Sequence, residues 1–177
     1  MKKMLLVGLI LVFSLLSACS NEPTAIVSKE DKQAHVQKFF DEMSAIEQEG
    51  KSSLEDFNES LASYSAGKAT DKQLKKAIDV FQNTATDILQ QVNDVEISSG
   101  LPQDIKAFLE DSKIAFQSAY SLKEQASQGA DSATVTAEQF KELNQNAELA
   151  MMYGISKLNE ARVASGLVEA ESAIEAK

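Results

Sequence analysis

Between residues 29 and 165 the apolar side chains of this sequence recur at steps of three and four, and Pro102 is the one proline in that stretch. At 3.6 residues per turn such spacing places them on one stripe of an α-helix. Ala, Glu, Lys, Gln and Leu are frequent, all good helix formers, and no β-branched run exceeds the three residues Thr134-Val135-Thr136. The chain is therefore expected to be all-α.

Four stripes can be followed. The first, over residues 29–66, carries Val36, Phe40, Met43, Ile46, Gly50, Leu54, Phe57, Leu61 and Tyr64. Gly50 interrupts it, and Ser52-Ser53-Leu54-Glu55 has the form of a fresh capping box. The stripe nevertheless keeps its phase, which favours one long helix of about 57 Å with any bend at Gly50. The second opens at a capping box, Thr70 with Gln73, runs through Leu74, Ile78, Phe81, Ile88 and Val92, and fades near Ile97 before Ser98-Ser99-Gly100. The third begins around Pro102 and carries Ile105, Phe108, Leu109, Ala115, Phe116, Ala119, Leu122 and Ala126. The fourth follows another capping pair, Thr136 with Gln139, and carries Phe140, Leu143, Ala147, Met151, Gly154, Leu158, Ala161 and Ser165.

Brief connections near Gly67, Gly100 and Gly129 make successive helices antiparallel neighbours. The stripes have the spacing of coiled-coil-like, left-handed packing. The expectation is an antiparallel up-down-up-down four-helix bundle with a long first helix over residues 29–166, and a C-terminal tail over 167–177. A pair of helical hairpins that closes only as a dimer is the competing architecture. The start of the first helix either stands out as a stalk or pairs with the tail.

The first residues are of another kind. Met1-Lys2-Lys3 precede an apolar run from Met4 to Leu16, and Leu16-Ser17-Ala18-Cys19 follows. A short basic start, an apolar stretch and small residues at the cut are the layout of a secretory signal. A cysteine directly after Leu-Ser-Ala resembles the lipobox of bacterial lipoproteins. The resemblance covers residues 1–20 and implies three things. The Cys19 sulfur receives a diacylglyceryl group, residues 1–18 are removed as signal peptide, and Cys19 becomes the lipidated N-terminus of a tether over residues 19–28. It implies no activity for residues 21–177. The other reading is an uncleaved anchor helix with Cys19 an ordinary thiol, for which the apolar run is shorter than the ~20 residues of a comfortable span. Both readings hold the domain at a membrane, facing out of the cytoplasm. Two acyl chains, of the palmitate kind, give a lasting anchor where one gives a marginal one.

Loss of residues 1–18 takes Lys2 and Lys3 and leaves 15 basic against 27 acidic residues, a balance of −12. Such an acidic chain repels nucleic acid and anionic headgroups. Cys19 is the single cysteine, so no disulfide supports the exported fold. Arg162 is the single arginine among many lysines, a bias of AT-rich bacterial genomes that points to a Gram-positive cell membrane. In a Gram-negative cell, Ser20 after the cysteine differs from the aspartate of inner-membrane retention and directs the protein to the outer membrane.

The sequence carries few groups suited to chemistry. His35, the single histidine, has Asp31 four residues before it and nothing to complete a metal site, so no metal ligands are assigned. Di-iron bundles need Glu-x-x-His on two helices, which one histidine cannot supply. Met43 and Met151 fall on core stripes, as packing methionines do, so no haem or other cofactor is expected. No Gly-x-Ser-x-Gly elbow or phosphate loop occurs, and Asp41-Glu42 and Glu55-Asp56 diverge along their helix. No catalytic residues are assigned, and the chain is not expected to be an enzyme. Gly154 on an inward stripe marks either close packing against a ring such as phenylalanine or a small pocket beneath Met151 and Tyr153. Phe39, beside Phe40, either widens the core face or belongs to a partner surface.

The functional expectation is a lipid-anchored, extracytoplasmic, non-enzymatic binding or interaction module of the bacterial cell envelope. It is held to the membrane through lipidated Cys19, with an envelope protein or cell-wall component as partner. The alternative is a carrier of a small apolar ligand within the bundle near Gly154.

Overall fold

The computed structural model describes residues 27–130 and 137–169. Among them are four helices and no strand: α1 (Lys29–Ser65), α2 (Asp71–Asp94), α3 (Gln103–Ala130) and α4 (Ala137–Ser165). Cys19 with the signal segment, Thr136, and residues 170–177 lie outside the described residues. The helices form a bundle in which α1 packs on α2, α2 on α3 and α3 on α4, with α4 touching α1 more sparsely.

Local chemistry sets the ends. Ser28 caps α1, its hydroxyl accepting from the Asp31 amide at 3.0 Å, with Glu30 and Asp31 in the positive first turn. The helix runs through Gly50 without a break. It ends at Gly67, whose φ of +69° is the left-handed value that glycine adopts freely. At the head of α2 the Thr70 amide donates to Gln73 Oε1 at 2.8 Å while the Gln73 amide donates to Thr70 Oγ1, a complete capping box.

The main core joins Val36, Phe39, Met43 and Ile46 of α1 to Ile88 and Val92 of α2, to Ile105, Leu109, Phe116 and Tyr120 of α3, and to Met151, Leu158 and Ala161 of α4. A smaller core holds Phe57, Ile78 and Phe81, with Leu54, Leu74 and Phe140 packed around them. The Phe57 and Phe81 rings stack at 4.9 Å between centroids.

Small residues bring α3 and α4 closest together, with Ala115, Ala119 and Ala126 on one and Ala147, Gly154 and Ala161 on the other, all buried. A Cβ at Gly154 would lie 2.7 Å from Cδ2 of Phe116, so that glycine makes room for a ring. Gly50 does the same for Tyr120, whose Cε1 would be 2.7 Å from an added Cβ.

Two residues sit differently from the sequence stripe. Of the adjacent pair, Phe39 and not Phe40 is buried, at 2 % exposure, continuing the spacing of Val36, Met43, Ile46 and Gly50. Phe40 is half-buried beneath the Arg162 guanidinium, 4.1 Å from its ring centroid. Tyr64, at the end of the stripe, is exposed, and its hydroxyl donates to Asp71 Oδ1 at 2.8 Å across the α1–α2 turn. The start of α1 is packed: Val36 is fully buried, and Gln33 Nε2 donates to the Gly166 carbonyl at 2.7 Å.

Candidate functional site

The connection from α2 to α3 is held open by specific bonds. Lys113 on α3 reaches across and donates to the carbonyls of Asn93 at 2.8 Å and Val95 at 2.7 Å, a cation at the negative end of α2. Gln117 Nε2 donates to Asn93 Oδ1 at 2.6 Å, and Lys106 Nζ to the Ser99 carbonyl at 3.2 Å. Val95 turns extended (φ −63°, ψ 122°), and it and Leu101 are buried as pegs in the main core. Val27, the first described residue, lies against this connection, its Cγ2 3.2 Å from where a Cβ on Gly100 would be.

Between these pegs and α1 opens a cleft of about 790 Å³. One wall is α1, with His35 and Lys38. The other is the end of α2 and the connection, with Asp94, Glu96, Ser98 and Ser99. Phe39, Val95, Leu101 and Leu109 make the floor, all nearly or fully buried. His35 is exposed at the mouth. Asp31 is not paired with it: its carboxylate accepts from the Ser28 hydroxyl at 2.9 Å. Lys38 stands 3.7 Å from Glu42, and both are open to solvent, so this ion pair constrains it little. Lys113, already bonded to two carbonyls, is structural in the cleft.

A second groove, of about 460 Å³, runs between α1 and α2 over the smaller core. Phe57, Phe81, Ala77 and the exposed Val80 line it, with Glu49, Asp56 and Lys76 at its rim.

The strongest electrostatic perturbations lie in neither opening but at the junction of the two cores. The Tyr120 hydroxyl, buried, donates to the Ile46 carbonyl at 3.4 Å. Burial, then the nearby charges of Glu47 and Glu49, raise its pKa well above the usual phenol range. The Lys123 ammonium lies 5.2 Å from the Tyr120 ring centroid. Burial lowers its pKa, while Glu148 and Glu47 act in the opposite direction. Neither residue lines the cleft or the groove, so the pair reads as packing.

Among the described residues no group of three or more His, Cys, Asp or Glu is placed to hold a metal ion. No described helix is long and apolar enough to cross a membrane. At Gly154, Phe116 fills the space beside the glycine, and Met152 and Tyr153 face outward. Sequence periodicity did not reveal the cleft, because its charged wall is the segment where the α2 stripe fades. The signal there is Val95-Glu96-Ile97, an alternation of apolar and polar residues that suits extended chain.

No family model matches the chain, and comparisons with curated proteins and with solved structures return no similar protein.

Proposed function

We propose that this protein is a lipid-anchored, extracytoplasmic helical bundle that binds another protein or a cell-wall component of the bacterial envelope and catalyses no reaction. The observation that carries the reading is the Leu16-Ser17-Ala18-Cys19 run after a basic start and an apolar stretch. Val27 supports it from the other side. It comes eight positions after Cys19 and lies beside the α2–α3 connection. Eight residues reach at most about 28 Å. The cleft would thus stand close to the membrane surface, where an envelope partner is within reach.

The bundle is proposed to run up-down-up-down. Along α1 and α2 the partners are Tyr64 with Asp71, Phe57 with Phe81, and Glu49 with Gln91, so numbers fall on one helix as they rise on the other. The same opposition holds for Thr86–Glu124 and Gln117–Asn93 between α2 and α3, and for Gln33–Gly166 at the ends of α1 and α4. A carrier of apolar ligands has less support, since Phe116 occupies the space beside Gly154.

Intact-protein mass spectrometry of the membrane fraction tests the anchor. The expected result is a chain that begins at Cys19 and bears acyl mass, and a Cys19→Ala form that lacks both. A Cys19→Ala form retained at the membrane with an unchanged leader cut would overturn it. In-cell crosslinking from Glu96 tests the binding role. Capture of an envelope protein or wall polymer is expected, and capture of neither would count against it.

A further inference from the structure

We infer that the cleft between α1 and the α2–α3 connection is a binding site for the free ends of a short peptide. The carboxylate would meet the His35 and Lys38 wall and the ammonium the Asp94 and Glu96 wall, with the peptide backbone lying across the floor. This names a ligand class for the binding role above and shares with that reading only the cleft.

Charge selects the ligand. Lys113 is engaged with two backbone carbonyls, which leaves two basic side chains on one wall and two carboxylates on the other. An anion alone would be drawn to His35 and Lys38 but repelled by Asp94 and Glu96. A cation alone would meet the reverse. An apolar molecule would strip water from four ionisable groups and offer them nothing in return. A neutral polyol would satisfy Ser98 and Ser99 and leave the charges unmatched. A metal ion lacks a ligand set. A ligand with separated opposite charges, such as the two ends of a short peptide, is complementary to both walls together. The volume falls within the range of small-molecule sites. The walls are also pre-formed. Lys113, Gln117 and Lys106 fix the connection, and the buried Val95 and Leu101 anchor it. Little ordering is then required on binding.

Calorimetric titration of the full-length protein in detergent micelles with the peptide Ala-Leu-Ala tests this. The free peptide should bind about fivefold tighter than its N-acetylated form and about fivefold tighter than its C-amidated form, the scale of one solvent-screened charge each. His35→Gln with Lys38→Gln should abolish the preference for a free carboxylate and leave the preference for a free amine. Asp94→Asn with Glu96→Gln should do the opposite. These side chains are on the surface of the cleft, and circular dichroism should show both variants as helical as the parent. Equal affinity for free and capped peptides overturns the inference, as does the absence of saturable binding up to about 10 mM, the weak end of specific association. A Cys19→Ala protein should bind the peptide unchanged, which separates failure here from failure of the anchor.

Discussion

The bundle has two unequal halves. On the side of Val27 and Gly166, four helices contribute to one core in which Val36, Met43, Val92, Leu109, Ala119 and Ala161 are wholly buried. On the side of Gly67, the separate core is Phe57, Ile78 and Phe81 with half-buried neighbours. Of the fifteen α1 residues after Gly50, Phe57 alone is buried. Hydrophobic stabilisation scales with area removed from water, so the first half is the stable one and the second opens at lower free energy. The cleft belongs to the stable half, where a pre-formed site has rigid walls. The apolar groove over Phe57 and Phe81 belongs to the half with the smaller core.

Ring deletions probe this difference most strongly. Phe116→Ala, in the large core, should cost about 4 kcal/mol, and Phe57→Ala about 2 kcal/mol, because a thinly covered site collapses more readily around the loss. Urea unfolding gives both values. Native-state hydrogen exchange should also show amides of residues 51–85 opening while those of residues 105–120 stay protected. Equal costs, or uniform exchange, would break the two-part description.

The glycines sharpen it with a smaller effect. At Gly154 and at Gly50 an added methyl meets a ring at 2.7 Å. Overpacking costs about 1–3 kcal/mol, and the better helix propensity of alanine returns about 1. Gly154→Ala and Gly50→Ala should therefore each lose about 0–2 kcal/mol in urea. Phe116→Leu should rescue the first in a double-mutant cycle. Tyr120→Phe should rescue the second only in part, since the ring edge still meets the methyl after the hydroxyl is gone. Additive losses in either cycle would mean that the ring had another place to go.

These glycines also explain what could be read without a structure. The α4 stripe from Ala147 to Ser165 was legible residue by residue, because small and apolar side chains at a strict three-four step admit one inward face. The α3 stripe was legible only in its apolar members. Tyr120, Lys123, Ser112 and Ser127 are buried on the same helix, yet polarity alone places them outside. What brings Tyr120 inward is a missing side chain at Gly50, seventy positions earlier on another helix. The α1 stripe counts Phe40 where the structure buries Phe39, for a related reason. Both satisfy the local spacing, and the arginine that covers Phe40 comes from α4. The cleft, finally, is built from a helix end and a connection, where periodicity carries no information.

Alkaline titration gives the smallest effect and bears on the junction between the halves. Tyr120 keeps its proton in the folded state to well above the ordinary phenol value of about 10, whereas the unfolded chain releases it there. Its contribution is thus intact below about pH 10 and declines above, by about 1.4 kcal/mol at pH 11. Lys123 works the other way. Burial lowers its pKa, so the unfolded chain holds the proton longer, and stability rises as pH climbs toward about 10.4 and then levels. The charged groups facing the pair are Glu47 and Glu49 on α1 and Glu148 on α4. Thermal melting followed from about pH 8 to about pH 11 should therefore lose its falling limb in Tyr120→Phe and its rising limb in Lys123→Met. A falling limb that survives in Tyr120→Phe would move the alkaline weak point away from the junction, to the half around Phe57 that the bundle covers least.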